Sequence, residues 1–583
     1  MRKTLELIII IMLSSLTACV GTEQKVKNQK TFAKVYGYVK YFHPSDEASE
    51  IDWAKFSAFG ANEVEKCRSN AQVVKTLNKL FSPIAPSVRF MISNEKPEYD
   101  IKSITPENPA GYRLTYWQHQ GVSTGMKMKS AYKSLRVNRI PGQEGEKIFN
   151  YQPEFGEITT KKIVDDIYCQ IPLVLYCNDK YTYPKADTSL LRNLKADLNK
   201  FDYNLEKLSL RLGNVINVYN VFQHFYPYFD VLSINWDDEL EKALLRCYSD
   251  KTPKDYLITL QKFTATLKDG HCYVYSSTIR LAAPPISWEW VENQLVITNL
   301  YKENPNLQIG DVVTQIDGIT PVKYFEEANS LISAGTKSSL DYRANRVSLA
   351  GEKGSKMRVT VKDKPIDLIR DDVNYSLSKE KPRYKKIEEG IWYLNIDRIE
   401  MDTINKLLPA LEKCKAIICD ARGYVKGNHD FITHLMKSDD TTSSWMQVPQ
   451  IVYPDQENIA GYSKYNWIAF MKAKKPYLGD KKVVYIIDGT AISYAESCMG
   501  YIEGYKLATI VGQPTAGTNG NINPFDLPGG YTIGWTGMKV LKHNGSQHHA
   551  IGIKPDIYVS KTIQGIKEGR DEFLEKAIEI AKQ

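Results

Sequence analysis

The chain has 583 residues, 43% of them hydrophobic and 25% charged, an ordinary globular balance with enough length for roughly three to five domains. A formal net charge of +8 is spread thinly over that length, with no dense Lys/Arg block interleaved with aromatics, so no nucleic-acid partner is expected. The 37 tyrosines suit packing, peptide contacts and carbohydrate contacts alike.

Arg2 and Lys3 precede an apolar run over 7–13 and then Leu16-Thr17-Ala18-Cys19. This reads as a lipoprotein signal peptide (1–19) with lipidation at Cys19. The alternatives are an ordinary signal peptide or a short membrane anchor, although the apolar run is too short to span a bilayer. Glu6 beside that run is unusual. A polar tether over 20–30 is expected to follow. The expectation is therefore a bacterial cell-envelope protein, lipid-anchored, periplasmic or outer-membrane-associated. The remaining cysteines, at 67, 169, 177, 247, 272, 414, 419 and 498, form no Cys-x-x-Cys or zinc-finger spacing. Cys169 and Cys177 could close a hairpin, but apolar surroundings favour buried thiols.

A duplication comes next. Pro44 and Pro227, Trp53 and Trp236, Phe42 and Phe225, and Leu77 and Leu260 all stand at one constant offset, with apolar residues at helical spacing around them. Two helical units are expected, at 31–94 and within 185–280, the second preceded by a polar linker helix. His43 and His224 read as structural. Between them, 95–184 alternates apolar and polar residues (YRLTYW, KSLRVNRI, IYCQIPLVLYC), the pattern of an antiparallel β module. The Gly/Gln/Lys-rich stretch QHQGVSTGMKMKSAYKS reads as a loop at its edge.

The second helical unit runs into LKDGHCYVY, where Asp269-Gly270 makes a turn and His271 opens a strand. A lone histidine is usually structural, yet one on a tight turn at a strand edge is presented rather than packed. Residues 283–368 contain Gly310-Asp311 and Ile316-Asp317-Gly318 in the order strand, turn, strand, hairpin, which resembles a PDZ domain of the bacterial protease type. Such domains add an extended peptide to a sheet edge; residues 324–332 would be the groove helix.

From 385 to 583 strands and helices alternate, implying a mainly parallel sheet with functional groups at strand C-termini. AIICDARG ends in Asp420 and Arg422. The apolar run Val483-Val484-Tyr485-Ile486-Ile487 breaks at Asp488-Gly489, and Ser493 heads a helix. There a hydroxyl can act as nucleophile beside helix N-terminal amides. The alternative is that Ser493 simply caps the helix, with Glu496 closing a capping box.

Taken together, KDGHCYV, IGDVVTQIDG, AIICDARGYVKG, GTAISYAES, IVGQPTAG and IGIKPDIYV resemble, in order, the C-terminal-processing (tail-specific) serine peptidases, in particular the tricorn-core-like branch, over roughly 210–583. The resemblance implies a multidomain α/β protein with a crotonase/ClpP-like α/β catalytic core. It places the nucleophile on Ser493 and the oxyanion donors on the amide of Tyr494 and on Gly427, with Lys426 the runner-up. The better-known branch takes its base from a lysine, but the matching position here is Thr518. The tricorn-like branch takes it from a histidine matching His271, which can accept and return a proton near neutrality. The position of that branch's supporting Glu falls on His549, which could orient His271, bind substrate or do neither; His548 could exchange roles with it. If the two lie on a strand, only one faces the site. A metal held by His543, His548 and His549 is conceivable but lacks a carboxylate, and no cofactor is expected.

The implied function is a serine endopeptidase that acts on exported peptides or proteins bound through the PDZ-like domain. The alternative is a non-catalytic peptide- or ligand-binding lipoprotein on the same scaffold. Glycan handling is a third, weaker idea.

Overall fold

The computed structural model describes the backbone of all residues except 1, 126–130, 141–142, 144, 372–380, 442–444, 466–467 and 469, and describes no side chain in 1–20. Cys19 is among those side chains, and part of the Gly/Gln/Lys-rich loop of the β module lies outside the description. No helix among the described residues is long and apolar enough to cross a membrane. All eight described cysteines are buried free thiols.

The chain divides into two compact units. The first comprises Met1–Phe263, Val448–Ser463 and Phe525–Thr532. Its helices carry the duplication. Trp53 opens the helix Trp53–Val64 behind Asp52, which caps Lys55, and Trp236 opens Trp236–Ser249 behind Asn235, which caps Asp237. Each tryptophan packs on the tyrosine at the equivalent place in the helix before it: Tyr36 against Trp53 at 5.1 Å between centroids, Tyr219 against Trp236 at 6.3 Å. The helices Arg2–Phe42 and Leu208–Phe225 cross where Gly37 has no side chain, because a Cβ there would lie 1.8 Å from Asn220 Oδ1.

One expectation for this unit needs correction. Residues 20–30 are not a free tether. They continue the helix Arg2–Phe42, and Val26, Asn28 and Gln29 are buried. The amide of Asn28 donates to the carbonyls of Val64 and Cys67, and that of Gln29 to Ala61. These carbonyls belong to the C-terminal end of a helix, which leaves its last acceptors unpaired and so recruits polar side chains.

The β module is antiparallel throughout; Arg113–Gln120 pairs with both Lys133–Arg139 and Leu175–Cys177. Gln450 and Ile451 join the same sheet by pairing with Gln120 and His119. No local pattern announces this long-range addition.

The second unit, Thr264–Gln447, Lys464–Pro524 and Ile533–Gln583, holds two large sheets besides the short pairing of Leu281–Ala282 with Gly351–Glu352. One is antiparallel, in the order Ile286–Val291, Gln294–Leu300, Val312–Ile316, Lys356–Val361, Lys364–Ile369. The helices Pro321–Ser330 and Lys337–Val347 accompany it, and Trp288, Ile316, Phe325 and Met357 sit in its own core. A cleft of about 360 Å³ runs beside the edge strand Ile286–Val291, lined by Ser287, Tyr301, Tyr342 and Arg346. The flanking helix is therefore Lys337–Val347. The helix expected at 324–332 is Pro321–Ser330, with Phe325 turned into the core beneath the sheet.

The other sheet runs Tyr384–Glu388, Ile391–Asn395, Ala416–Asp420, Lys482–Ile487, Thr509–Gly512, Ile557–Tyr558, with every pair parallel after the first. Its strands are near-continuous apolar runs, as a sheet covered on both faces requires. Phe573, Ala577 and Ile580 of the helix Glu572–Ala581 pack against Ile418, Val484 and Val511. Parallel strands all end on one side. The loops after Asp420 and Ile487 consequently emerge together, and the candidate site is built there.

Candidate active site

Ser493 follows the central strand Lys482–Ile487 and occupies the N-cap position of the helix Tyr494–Gly504. Its hydroxyl makes no capping bond. Its backbone sits at φ 60°, ψ −115°, a conformation that L-residues rarely adopt and that turns the side chain away from the helix amides. Glu496 does not complete a capping box either. It is 1% exposed and reaches across to the loop 515–518, accepting from Thr515 Oγ1 (2.5 Å) and from the amides of Gly517 and Thr518 (2.8 Å each).

Thr518 is the next link. Its carbonyl accepts the Ser493 amide at 2.9 Å, and its hydroxyl accepts the Gly270 amide at 2.7 Å. The residue at the lysine position of the other branch thus staples the serine turn to the histidine turn. Gly270 is required for that approach: a Cβ would meet Thr518 Oγ1 at 2.9 Å and Ile492 Cδ1 at 3.0 Å. Replacing Glu496 by Ala would strip one hydroxyl and two amides of their buried acceptor, at about 1–3 kcal/mol each where no water replaces it. We expect Glu496→Ala to lower the denaturant midpoint by an amount equivalent to roughly 3 kcal/mol and to cost activity through the loosened loop. An unchanged midpoint would rule out this staple.

His271 is 6% exposed. Its Nδ1 lies 2.9 Å from Thr536 Oγ1, and Nε2 has no hydrogen-bond partner among the described residues. The ring's pKa is lowered from the usual 6.5 by burial, opposed by the charges of Asp269 and Glu496 and reinforced by Arg343. Asp269, fully buried, accepts the His271 amide (2.9 Å), the Thr536 hydroxyl (2.8 Å) and the Thr536 amide (2.7 Å). The same turn is gripped from the antiparallel sheet's side. Ser333 Oγ accepts the Asp269 amide at 2.8 Å, and the Arg343 guanidinium donates to the Gly270 carbonyl.

On the loop after Asp420, the Lys426 amide is spent on the Ile396 carbonyl at 3.2 Å. The Gly427 amide has no acceptor among the described residues, and Gly427 itself is exposed. This favours Gly427 over Lys426 as an anion donor. Asp420 and Arg422 form a clamp at the root of that loop: Arg422 binds Asp420 (2.9 and 2.7 Å) and Asp571 (2.8 and 2.7 Å). Tyr494, directly after the serine, donates to or accepts from His429 Nδ1 at 2.5 Å, which ties the helix start to the loop. Between loop and helix lies a small apolar cavity of about 10 Å³, room for roughly one water, lined by Ile396, Val425, Phe431, Ile432, Cys498 and Met499.

The adjacent histidines are not on a strand. They lie in a turn, so strand alternation does not separate them, and both are buried. His548 Nε2 stands 3.4 Å from Glu496 Oε1. Burial lowers His549 to about 4, with Asp269 and a backbone bond to Leu267 opposing. His549 thus backs the Asp269 turn, while the Nδ1 of His271 is engaged by Thr536. His543 is elsewhere, against Gly504 with its ring 4.6 Å from that of Tyr501. Among the described residues no group of His, Cys, Asp or Glu could hold a metal ion.

A serine on a strained strand-to-helix turn, a buried imidazole on a neighbouring turn and an unengaged glycine amide form the kind of constellation that acyl transfer uses. The sequence comparison agrees: residues 390–559 match the family model of Peptidase family S41. Residues 390–559 are thus a peptidase S41 domain. Among solved structures, mature CPAF is similar to this chain at 13% identity, covering 64% of it and 97% of CPAF, with a TM-score of 0.53. CPAF complexed with lactacystin gives the same coverage, identity and TM-score. The photosystem II D1 C-terminal processing protease matches at 13% identity over 60% of this chain and 92% of its own, with a TM-score of 0.33. At these identities the CPAF likeness speaks for the fold alone. No curated protein matches the chain.

The structure links the serine and histidine turns named from the sequence through Thr518, and surrounds the histidine turn with Asp269, Thr536 and Arg343, which sequence reasoning did not name in that role. Asp269 stands two residues before His271 and could have been weighed as more than a turn former. The other three are brought in only by tertiary structure.

Proposed function

We propose that this protein is a serine endopeptidase of the C-terminal-processing type, working through an acyl-enzyme. Ser493 Oγ attacks the scissile carbonyl while its proton passes to Nε2 of His271. The amides of Gly427 and Tyr494 receive the oxyanion. Collapse of the tetrahedral species breaks the C–N bond, and the proton on Nε2 goes to the leaving amine; water then repeats the sequence to release the acyl group. The observation that carries this reading is the Ser493 backbone, held at φ 60° with a hydroxyl that caps nothing. A capping serine has no need of that conformation.

The substrate is proposed to be an exported peptide or protein. Its extended segment docks beside the edge strand Ile286–Val291 in the PDZ-like module, with Tyr342 and Arg346 on the opposite wall. Lipidation at Cys19 would tether the enzyme at the cell envelope.

Incubation of the full-length protein with a fluorophosphonate probe tests the mechanism. Labelling is expected for wild type and absent for Ser493→Ala and His271→Ala. A folded wild-type protein that takes no label, or a His271→Ala variant that labels as fast as wild type, would defeat it and favour a peptide-binding role. Because burial depresses His271, the acid limb of kcat/KM should fall below pH 6.5, with activity lost as the pH drops and the imidazole takes its proton.

A further inference from the structure

We propose that Asp269 and Thr536 are the positioning residues of this site, together fixing His271 in the tautomer whose Nε2 lone pair faces outward as the base. The proposal rests on the peptidase reading for its meaning but on hydrogen-bond directionality for its argument. A threonine hydroxyl has one proton to give. Thr536 Oγ1 lies 2.8 Å from Asp269 Oδ1 and 2.9 Å from His271 Nδ1. Asp269 already accepts two backbone amides, from His271 (2.9 Å) and Thr536 (2.7 Å), and the Arg343 guanidinium stands nearby on the carbonyl of Gly270. With a backbone amide donating to each of its oxygens, the carboxylate is engaged as an acceptor on both sides, so the hydroxyl proton goes to Asp269. The lone pair left on Oγ1 can be satisfied only by a proton on Nδ1. Nε2 is then unprotonated, as a general base requires.

All three side chains are buried, at 0% exposure for Asp269 and Thr536 and 6% for His271, so water cannot easily replace a lost partner. The other charged or titratable groups around the ring are Glu496, Arg343 and His549. None of them occupies Nδ1. The carboxylate therefore acts at one remove, through a hydroxyl, and comes from the histidine's own turn.

The two residues can be separated by experiment. Asp269→Asn keeps the shape but puts an amide nitrogen in place of one acceptor: at Oδ1 it donates to Oγ1, reverses the hydroxyl and drives the proton onto Nε2, and at Oδ2 it opposes the Thr536 amide. By analogy with the wrong-tautomer penalty in directly paired triads, kcat should fall by about 10³–10⁴-fold with KM little changed. Thr536→Val leaves the bond from the Thr536 amide to Asp269 in place but removes the hydroxyl, and a fall of about 10²-fold or more is expected. Thr536→Ser should recover kcat to within about tenfold of wild type.

The decisive readout is the tautomer itself. It is observed by long-range ¹H–¹⁵N correlation on histidine-labelled full-length protein, with His271 assigned by its loss in His271→Ala. Wild type and Thr536→Ser should show Nδ1–H, and Thr536→Val should lose that preference. An Nε2–H tautomer in wild type, an undiminished Nδ1–H preference in Thr536→Val, or a Thr536→Val enzyme within threefold of wild-type kcat would each overturn the proposal. The spectrum is read in the resting protein, so it decides the positioning role even if no peptide is cleaved. A failure of the peptidase reading would appear separately, in the probe-labelling experiment.

Discussion

Ser493→Gly should give a protein that is inactive and yet more stable than wild type. Loss of the hydroxyl removes the proposed nucleophile, and in serine hydrolases this costs on the order of 10⁶ in kcat. The stability gain has a different source. Ser493 is held at φ 60°, ψ −115°, where an L side chain costs about 1–3 kcal/mol and glycine costs almost nothing. Against this, glycine adds roughly 0.5–1 kcal/mol of freedom to the unfolded chain, leaving a net gain of about 1 kcal/mol. Ser493→Ala should be just as inactive but gain nothing, because alanine retains the Cβ. Chemical denaturation of the two variants beside wild type separates the effects. A glycine variant no more stable than the alanine variant would mean that the turn stores no strain.

The second large effect is an acid lability of the first unit. His43, His119 and His224 are 0%, 2% and 0% exposed, and burial lowers them from 6.5 to about 3, 4 and 4. His43 is bound by Ser45 and Ser87, His119 by Ser134 and the Tyr41 carbonyl, and His224 accepts the Asp455 amide. Each is therefore neutral in the folded protein and titrates normally once unfolded. The unfolded state binds more protons below pH 6.5, so stability falls as pH drops from 6.5 toward 4. Each histidine contributes up to about 1.4 kcal/mol per pH unit in that window, so the three together exceed a typical domain's whole stability within about two to three units. Denaturant midpoints measured at intervals from pH 7.5 to 4.5 should fall steeply below 6.5. A flat profile down to 4.5, where carboxylates begin to titrate, would show that these rings are charged or hydrated in the fold.

The α/β part of the fold was legible because its cues are local. A five-residue apolar run, Val483 to Ile487, bounded by Asp488-Gly489 can scarcely be anything but a buried strand, and the helix after Ser493 has its own pattern. The duplicated helices could be read from matched Trp and Pro positions. What escaped was the chemistry of side chains meeting across long sequence separations. Thr536 is 265 residues from His271, and Thr518 is 248 from Gly270. Neither has a spacing that sequence can weigh, and a threonine carries no catalytic signature by itself. The tether failed for a related reason: the polarity of Asn28 and Gln29 looked like solvation, whereas it caps a helix end that only tertiary structure brings near. Adjacent histidines were read with strand geometry because the alternation rule needs no partner information, and the turn at 548–549 removed its premise.

On the proposed mechanism, Thr518 sets a limit on how the site can change over evolutionary time. Its side chain and carbonyl hold the Ser493 and Gly270–His271 turns together, so the seat that a lysine base would need is already taken. A single Thr518→Lys change would not move the chain toward the lysine chemistry. It would unfasten the histidine before any new base was aligned, and it would set an ammonium among atoms that expect a small hydroxyl. If Ser493 is activated by His271 as proposed, the two ways of activating the serine are alternative occupants of one position, and the one-step Thr518→Lys path is expected to cross an inactive intermediate. Conversion would demand concerted changes at 518, 270 and 271, a barrier of sign epistasis that can keep lineages on one solution or the other.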